Sequence, residues 1–237
     1  MTSTRFGGFA AIIFDAYETL FDVDALQEVC ATVVPDPEPF VQMWRAKQLE
    51  YAILRTVIDQ YSDWGQITSE ALDYAITSFE LAIDPDERGR LMRAWVQLPA
   101  FPDVQEALAR LDQSGGRIII LSNATRGMLR PLIARNGLAE YIDDVLTSEL
   151  VQVFKPHQFL YSIAAERVMA RPHEVLFVTT NGFDVAGAKA ASLSVCWLNR
   201  RNMPLDPLGY EPDFRVHHLG DLVDLLVGGV GEDEGDV

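Results

Sequence analysis

The stretch Ala11-Ile12-Ile13-Phe14-Asp15-Ala16-Tyr17-Glu18-Thr19-Leu20-Phe21-Asp22 sets a carboxylate directly behind an apolar run. Such a run reads as a buried strand, and an acid at its C-terminal edge stands where open α/β sheets keep their ligand crevice. Taken alone, Asp15 is equally a turn cap, because Asp is common after strands. Its company argues otherwise: Ser122-Asn123, Lys155 and Asp184 each follow another apolar, strand-like run. Four polar positions repeated at strand ends read as one site.

Working outward, short β-rich runs recur at Ala10 to Phe14, Arg117 to Leu121, Asp143 to Thr147, Val175 to Val178 and Ser194 to Leu198. Helix-length segments separate the last four. That alternation predicts a parallel sheet with helices on both faces. Between the first and second runs lies a long helical tract with marked helix starts. Asp36-Pro37 and Asp84-Pro85 each offer an N-cap followed by proline at the first helical position. Thr68-Ser69-Glu70 has the character of a third start. Leu98-Pro99-Ala100-Phe101-Pro102 reads as a rigid return. The expected fold is therefore α/β: a doubly wound, Rossmann-like core with an inserted all-helical cap over the crevice. The core takes residues 1–20 and 101–230 and the cap 21–100. An acidic tail over 231–237, without apolar anchors, is expected to be disordered.

The 237 residues suffice for one large domain, or for a core with a smaller insertion. A hydrophobic share of 49% against 23% charged residues fits a folded globule. The net charge of −16 makes a nucleic-acid backbone a poor partner. It also means that any anion site must be local, built from a few placed cations and N–H groups. Cys30 and Cys196 form neither a disulfide framework nor a metal-ligand spacing, and read as small buried residues in a reducing compartment. There is no signal pattern and no membrane-length apolar stretch, so a soluble cytoplasmic protein is expected, with no membrane partner.

The motifs themselves resemble a known family. They are Phe14-Asp15-Ala16-Tyr17-Glu18-Thr19, Trp44-Arg45-Ala46-Lys47-Gln48-Leu49-Glu50-Tyr51, Leu121-Ser122-Asn123, Lys155-Pro156 with Tyr161, and Thr179-Thr180-Asn181-Gly182-Phe183-Asp184. Together they resemble the haloacid dehalogenase superfamily, and within it the L-2-haloacid dehalogenases. The first motif marks only the superfamily; the Trp44 to Tyr51 segment points to the dehalogenases. Position 17 separates the branches. Phosphatases of the superfamily typically carry a second Asp there, whereas Tyr17 is no low-pKa acid. Around Asp184 there is a single acid and an aromatic, where phosphatases usually show paired acids for Mg²⁺. The resemblance thus implies metal-independent chemistry without a cofactor.

What it implies for single residues follows the chemistry. Asp15 attacks C2 of a 2-haloacid from the side opposite the halogen and forms an ester. Lys155 keeps that carboxylate ionised. Arg45 breaks an apolar helix stripe of Val41, Leu49 and Ala52, so it needs an anion or a partner; the alternatives are the departing halide and an ion pair across the cap interface. Asn123 and the ring edge of Phe183 complete a halide cradle with Arg45. Ser122, with backbone N–H groups of the turn at Ala16 and Tyr17, holds the substrate carboxylate; Tyr17 alternatively packs in the cap interface. Thr19 and Tyr161 match positions that orient the nucleophile and Lys155, although a helix cap and an ordinary buried tyrosine are equally open. Thr179, Asn181 and Asp184 match positions that fix the nucleophile and the hydrolytic water, and Asp184 is alternatively an N-cap for a helix from Val185. Three departures stand out: Glu18 and Ala124 where the family commonly has Gly, and Thr179-Thr180 for a serine pair. Glu18 adds a carboxylate beside the entrance. The competing functions are a Mg²⁺-dependent phosphatase and a non-catalytic binder of small anions. A homodimer is expected as a partner, through cap aromatics taken as exposed: Trp44, Tyr51, Tyr61 and Trp64.

Overall fold

The computed structural model describes residues 7–228. The acidic tail of the sequence reading lies outside them. Six parallel strands form one sheet: β1 (Ala11–Phe14), β2 (Ile118–Ser122), β3 (Asp144–Thr147), β4 (Val175–Thr179), β5 (Ser194–Leu198) and β6 (Phe214–Val216). Their order is β3-β2-β1-β4-β5-β6, so β1 is central and the winding reverses between β1 and β4. That reversal opens a crevice at the C-terminal ends of β1 and β4. Phe14 pairs with Ile120 on one side and with Val178 on the other, which brings Asp15 level with the ends of β2 and β4.

The sheet is apolar on both faces, as parallel sheets with crossover helices require. Ile12 and Phe14 join one buried cluster, with Leu108 of α5 (Val104–Gln113), Leu132 of α6 (Arg126–Arg135) and Leu222 of α9 (Leu219–Val227). Ala11 and Ile13 join the other, with Leu160 of α7 (Gln158–Val168) and Val185 of α8 (Gly182–Ala190). The sixth strand was missed because Phe214-Arg215-Val216 is three residues long and carries an arginine in its centre.

Four helices are inserted between β1 and α5: α1 (Leu26–Cys30), α2 (Pro37–Val57), α3 (Trp64–Ser78) and α4 (Pro85–Ala94). The chain leaves and returns side by side. Asp22 N–H donates to Pro99 O at 2.9 Å and Phe101 N–H to Leu20 O at 3.0 Å, around an antiparallel bridge of Phe21 with Ala100. Asp84 forms a full capping box with Glu87 at the start of α4. Asp36 precedes α2 without a side-chain capping bond. Thr68 is not a helix start: α3 begins at Trp64 under an Asp63 cap, and the Thr68 hydroxyl turns back onto Trp64 O at 2.6 Å.

The cap aromatics taken as exposed are largely interior. Trp44 and Trp64 are fully buried, and Tyr51 and Tyr61 half-buried. Trp44 donates through Nε1 to Thr68 O at 2.8 Å and meets Trp95 edge-on at 5.5 Å. These rings hold the cap together, so the surface argument for a homodimer loses its residues. Cys30 and Cys196 are buried, and burial pushes both thiols up to about 12. Among the described residues no helix is long and apolar enough to cross a membrane.

Candidate active site

Asp15 is fixed by its backbone before its side chain is considered: its N–H donates to Val178 O at 3.0 Å, extending the β1–β4 ladder by one residue. Both carboxylate oxygens are then occupied. Oδ1 accepts from Lys155 Nζ at 2.8 Å, and Oδ2 accepts from Asn181 Nδ2 at 3.0 Å and Thr19 Oγ1 at 3.1 Å. Thr19 is no helix cap. Its hydroxyl also accepts from Thr180 N–H at 3.1 Å, tying the turn after β1 to the turn after β4.

Lys155 does not follow a strand directly, as the sequence reading had it. It sits in the loop between β3 and α7, where Asn123 Oδ1 accepts its backbone N–H at 2.8 Å. Asn123 is held in turn by Ser148, whose hydroxyl donates to Asn123 O at 2.8 Å. The side-chain carbonyl oxygen of Asn123 is thus turned to Lys155, and Asn123 also lines the cavity described below. The Lys155 ammonium is buried and also donates to Asp184 Oδ2 at 3.0 Å.

Asp184 lies in the first turn of α8, where a negative charge suits the helix dipole. Its side chain is not an N-cap, because Lys155 and the Thr179 hydroxyl (3.1 Å) take Oδ2 and the Tyr161 hydroxyl takes Oδ1. Tyr161 therefore orients Asp184 rather than Lys155. Burial is the main cause that raises the Asp184 carboxyl, to about 6; the Asp15 charge adds to it and Lys155 opposes it. Burial and the Asp184 charge likewise push the Tyr161 phenol well above its ordinary value, so it stays a donor.

The cap contributes Arg45 from α2. Nη1 donates to Gln48 Oε1 at 2.7 Å, and Nη2 lies 3.4 Å from Glu18 Oε2 across the cap interface. Both alternatives for Arg45 thus meet in one residue: it pairs with Glu18 and it lines the cavity. Tyr17 is buried, donates weakly to Trp95 O at 3.4 Å and packs edge-on against that ring at 5.3 Å. It is a cap-interface residue that also lines the cavity.

The cavity itself is small, about 10 Å³, and is lined by Asp15, Tyr17, Arg45, Ser122, Asn123, Lys155, Asn181 and Phe183. Ten cubic ångströms is roughly the space of one water. Thr19, Tyr161, Thr179 and Asp184 stand behind Asp15 and Lys155. Ala16 does not line the cavity; its carbonyl accepts from Leu20 and Phe21 N–H at 2.8 and 3.0 Å. Leu49 and Trp64 complete the lining and were missed as site residues, because an apolar residue in a cap helix carries no chemical signal. Gly187 was also missed. A Cβ there would lie 2.7 Å from the Tyr161 ring and hydroxyl, so this glycine leaves the hole through which Tyr161 reaches Asp184.

With that geometry in place, comparison with known proteins gives one answer. The family model described as haloacid dehalogenase-like hydrolase matches residues 9–192. A haloacetate dehalogenase of Moraxella sp. (strain B) is 35% identical over 91% of this chain and 97% of its own length. An (S)-2-haloacid dehalogenase of Pseudomonas putida is 36% identical over 91% and 97%. The structure of an L-2-haloacid dehalogenase from Xanthobacter autotrophicus with chloropropionic acid covalently bound superposes with a TM-score of 0.85 at 35% identity, covering 93% of this chain and 99% of that one.

Gly187→Ala is expected to destabilise the fold by about 1–3 kcal/mol, the usual range for overpacking. Urea unfolding checks it against Gly220→Ala, whose added Cβ meets nothing within 4 Å and is expected to be neutral or stabilising.

Proposed function

The chain belongs to the haloacid dehalogenase-like hydrolases, and from that premise we propose that it hydrolyses small (S)-2-haloalkanoic acids to (R)-2-hydroxyacids and halide through an ester on Asp15. The observation that carries this reading is the placement of Asp15. It is a buried carboxylate with both oxygens anchored, in the lining of a small cavity that Arg45 of the cap also lines.

In the first step a carboxylate oxygen of Asp15 attacks C2. The new C–O bond forms as the carbon–halogen bond breaks, and halide leaves on the far side towards Arg45, the Asn123 amide and the Phe183 ring edge. Lys155 and Asn181 hold the attacking group in line, and Ser122 receives the substrate carboxylate. In the second step water adds to the ester carbonyl of Asp15 as Asp184 accepts its proton; the tetrahedral adduct then collapses, the bond between the Asp15 carbonyl carbon and the ester oxygen breaks, and the departing alkoxide takes the proton from Asp184. The C2 oxygen of the product thus comes from Asp15, and a water oxygen replaces it. Tyr161 and Thr179 keep Asp184 aligned.

A Mg²⁺-dependent phosphatase fits this residue set poorly. Tyr17 removes the second acid, and three donors already bind the Asp184 carboxylate. The reading is therefore of a metal-independent enzyme without a cofactor, cytoplasmic, with residues 21–100 as its cap over a core of 1–20 and 101–230. A homodimer belongs to the same proposal and now rests on the exposed apolar end of α2, where Ile53, Leu54, Val57 and Ile58 stand out.

Halide release from both enantiomers of 2-chloropropionate and from haloacetates is expected to persist in excess EDTA, with the (S)-enantiomer preferred. In a single turnover in ¹⁸O-water, the hydroxyacid should leave unlabelled and the peptide containing Asp15 should carry the label. A labelled first product would mean direct attack by water. The pH dependence has a definite sign. Asp184 must be unprotonated to accept the proton. Burial, with the Asp15 charge, raises its carboxyl to about 6 in the free protein, and esterification of Asp15 removes the second cause, so kcat should fall with acid at or below about pH 6. An Asp184→Asn variant that keeps full kcat would remove Asp184 from the base role.

A further inference from the structure

Glu18 adopts φ +68°, the left-handed region that suits glycine and that other L residues enter at a cost. It stands on the rim between the inner cavity and an outer cleft of about 400 Å³ that it lines; Leu49, Asn181 and Phe183 line both spaces. From there its carboxylate reaches Arg45, at 3.4 Å, with about a quarter of the side chain exposed.

The two arms of Arg45 are held in different ways. Nη1 sits in a neutral, fully buried relay: it donates to Gln48 at 2.7 Å, Gln48 Nε2 donates to Thr68 Oγ1 at 2.7 Å, and Thr68 donates to Trp64 O at 2.6 Å. Among the described residues, Nη2 has only the long contact with Glu18, and Nε is buried without a hydrogen-bond partner. Gln48 thus fixes the guanidinium, while Glu18 merely balances its charge. Two other cations of the outer cleft do not compete for Glu18, because Arg200 is paired with Asp103 at 2.8 Å and Arg201 with Asp24 at 2.6 Å.

We propose that Glu18 is a displaceable counter-ion that competes with halide for Arg45, so that re-forming the Glu18–Arg45 pair expels the product anion. The inference rests on the dehalogenase reading of the same site. A halide and a carboxylate carry the same single charge, so one replaces the other at the guanidinium with no net change in buried charge. The exposed fraction of Glu18 lets it turn towards water when substrate arrives.

Two variants separate charge from backbone. E18Q keeps the size and the left-handed conformation but removes the charge; E18G removes the charge and relieves the backbone. Bromide is titrated into each full-length protein by calorimetry, and also used as an inhibitor of turnover. Both variants are expected to bind bromide about fivefold more tightly than the unaltered protein, the upper end for a part-exposed ion pair, with inhibition strengthened in parallel. Equal affinity in all three overturns the proposal. Tightening in E18G alone also overturns it, because the effect is then one of the backbone. The binding measurement needs no turnover. Tighter bromide binding in E18Q of a protein that dehalogenates no haloacid sinks the dehalogenase reading and leaves the competition at Arg45 standing. An active enzyme with unchanged bromide affinity does the reverse.

Discussion

One ammonium group, Lys155 Nζ, lies 2.8 Å from Asp15 and 3.0 Å from Asp184, and all three side chains are buried. Two carboxylates and one ammonium leave the cluster a net negative charge away from water. Such an arrangement persists only when hydrogen bonds meet the remaining lone pairs. Asn181 and Thr19 do this for Asp15, and Thr179 and Tyr161 for Asp184. Removing one partner of a buried pair commonly costs about 3–5 kcal/mol, so the cluster constrains the fold as well as the chemistry. The sheet order supplies the geometry. Only with β4 beside β1 do the turns carrying Thr19 and Asn181 meet over the same carboxylate.

The second constraint comes from the cap. Arg45 sits on α2, whose position depends on the Trp44–Trp95 contact, the Trp44 bond to Thr68, and the paired chain crossing at Phe21 and Ala100. Tyr17 belongs to both halves, since it follows Asp15 on the core side and packs on Trp95 of the cap. A shift of the cap therefore moves the cation relative to the nucleophile. The cavity between them is lined from both halves, by Asp15 and Tyr17 on the core side and by Arg45, Leu49 and Trp64 of the cap.

Much of this was legible in the chain. The apolar run before Asp15 and the alternation after Pro102 gave five of the six strands and the parallel sheet, because buried strands announce themselves by composition. Asp15, Arg45, Ser122, Asn123 and Lys155 stood out as polar groups in apolar settings, Asn181 came from the family resemblance alone, and all six line one cavity. Trp44 and Trp64 could not be placed: a cap aromatic looks the same whether it faces water or a neighbouring helix, and only tertiary packing decides. Gln48 and Gly187 were invisible for another reason. One acts through Arg45 and the other through Tyr161, so their importance lies in a contact rather than in their own chemistry. The departure at Glu18 was readable as a charge near the entrance, but its backbone conformation and its partner were not.

An anion-handling site in a chain of net charge −16 raises a question of balance. A bare guanidinium in a dry cavity would attract halide strongly, yet its desolvation would burden the empty enzyme and hold the product afterwards. In this protein neither cation is bare. Lys155 is neutralised by the two carboxylates of the reaction centre, and Arg45 by Glu18 at the rim. Anion binding then becomes an exchange of partners at fixed charge, and its strength depends on how readily the resident partner can leave. Lys155 faces two buried carboxylates at 2.8 and 3.0 Å and so stays put, as a group that orients a nucleophile must. Arg45 faces a quarter-exposed carboxylate at 3.4 Å, which can leave. On the proposed reading of the site, the unequal burial of the two counter-ions divides the work, with one cation holding the nucleophile and the other taking up and releasing the leaving group.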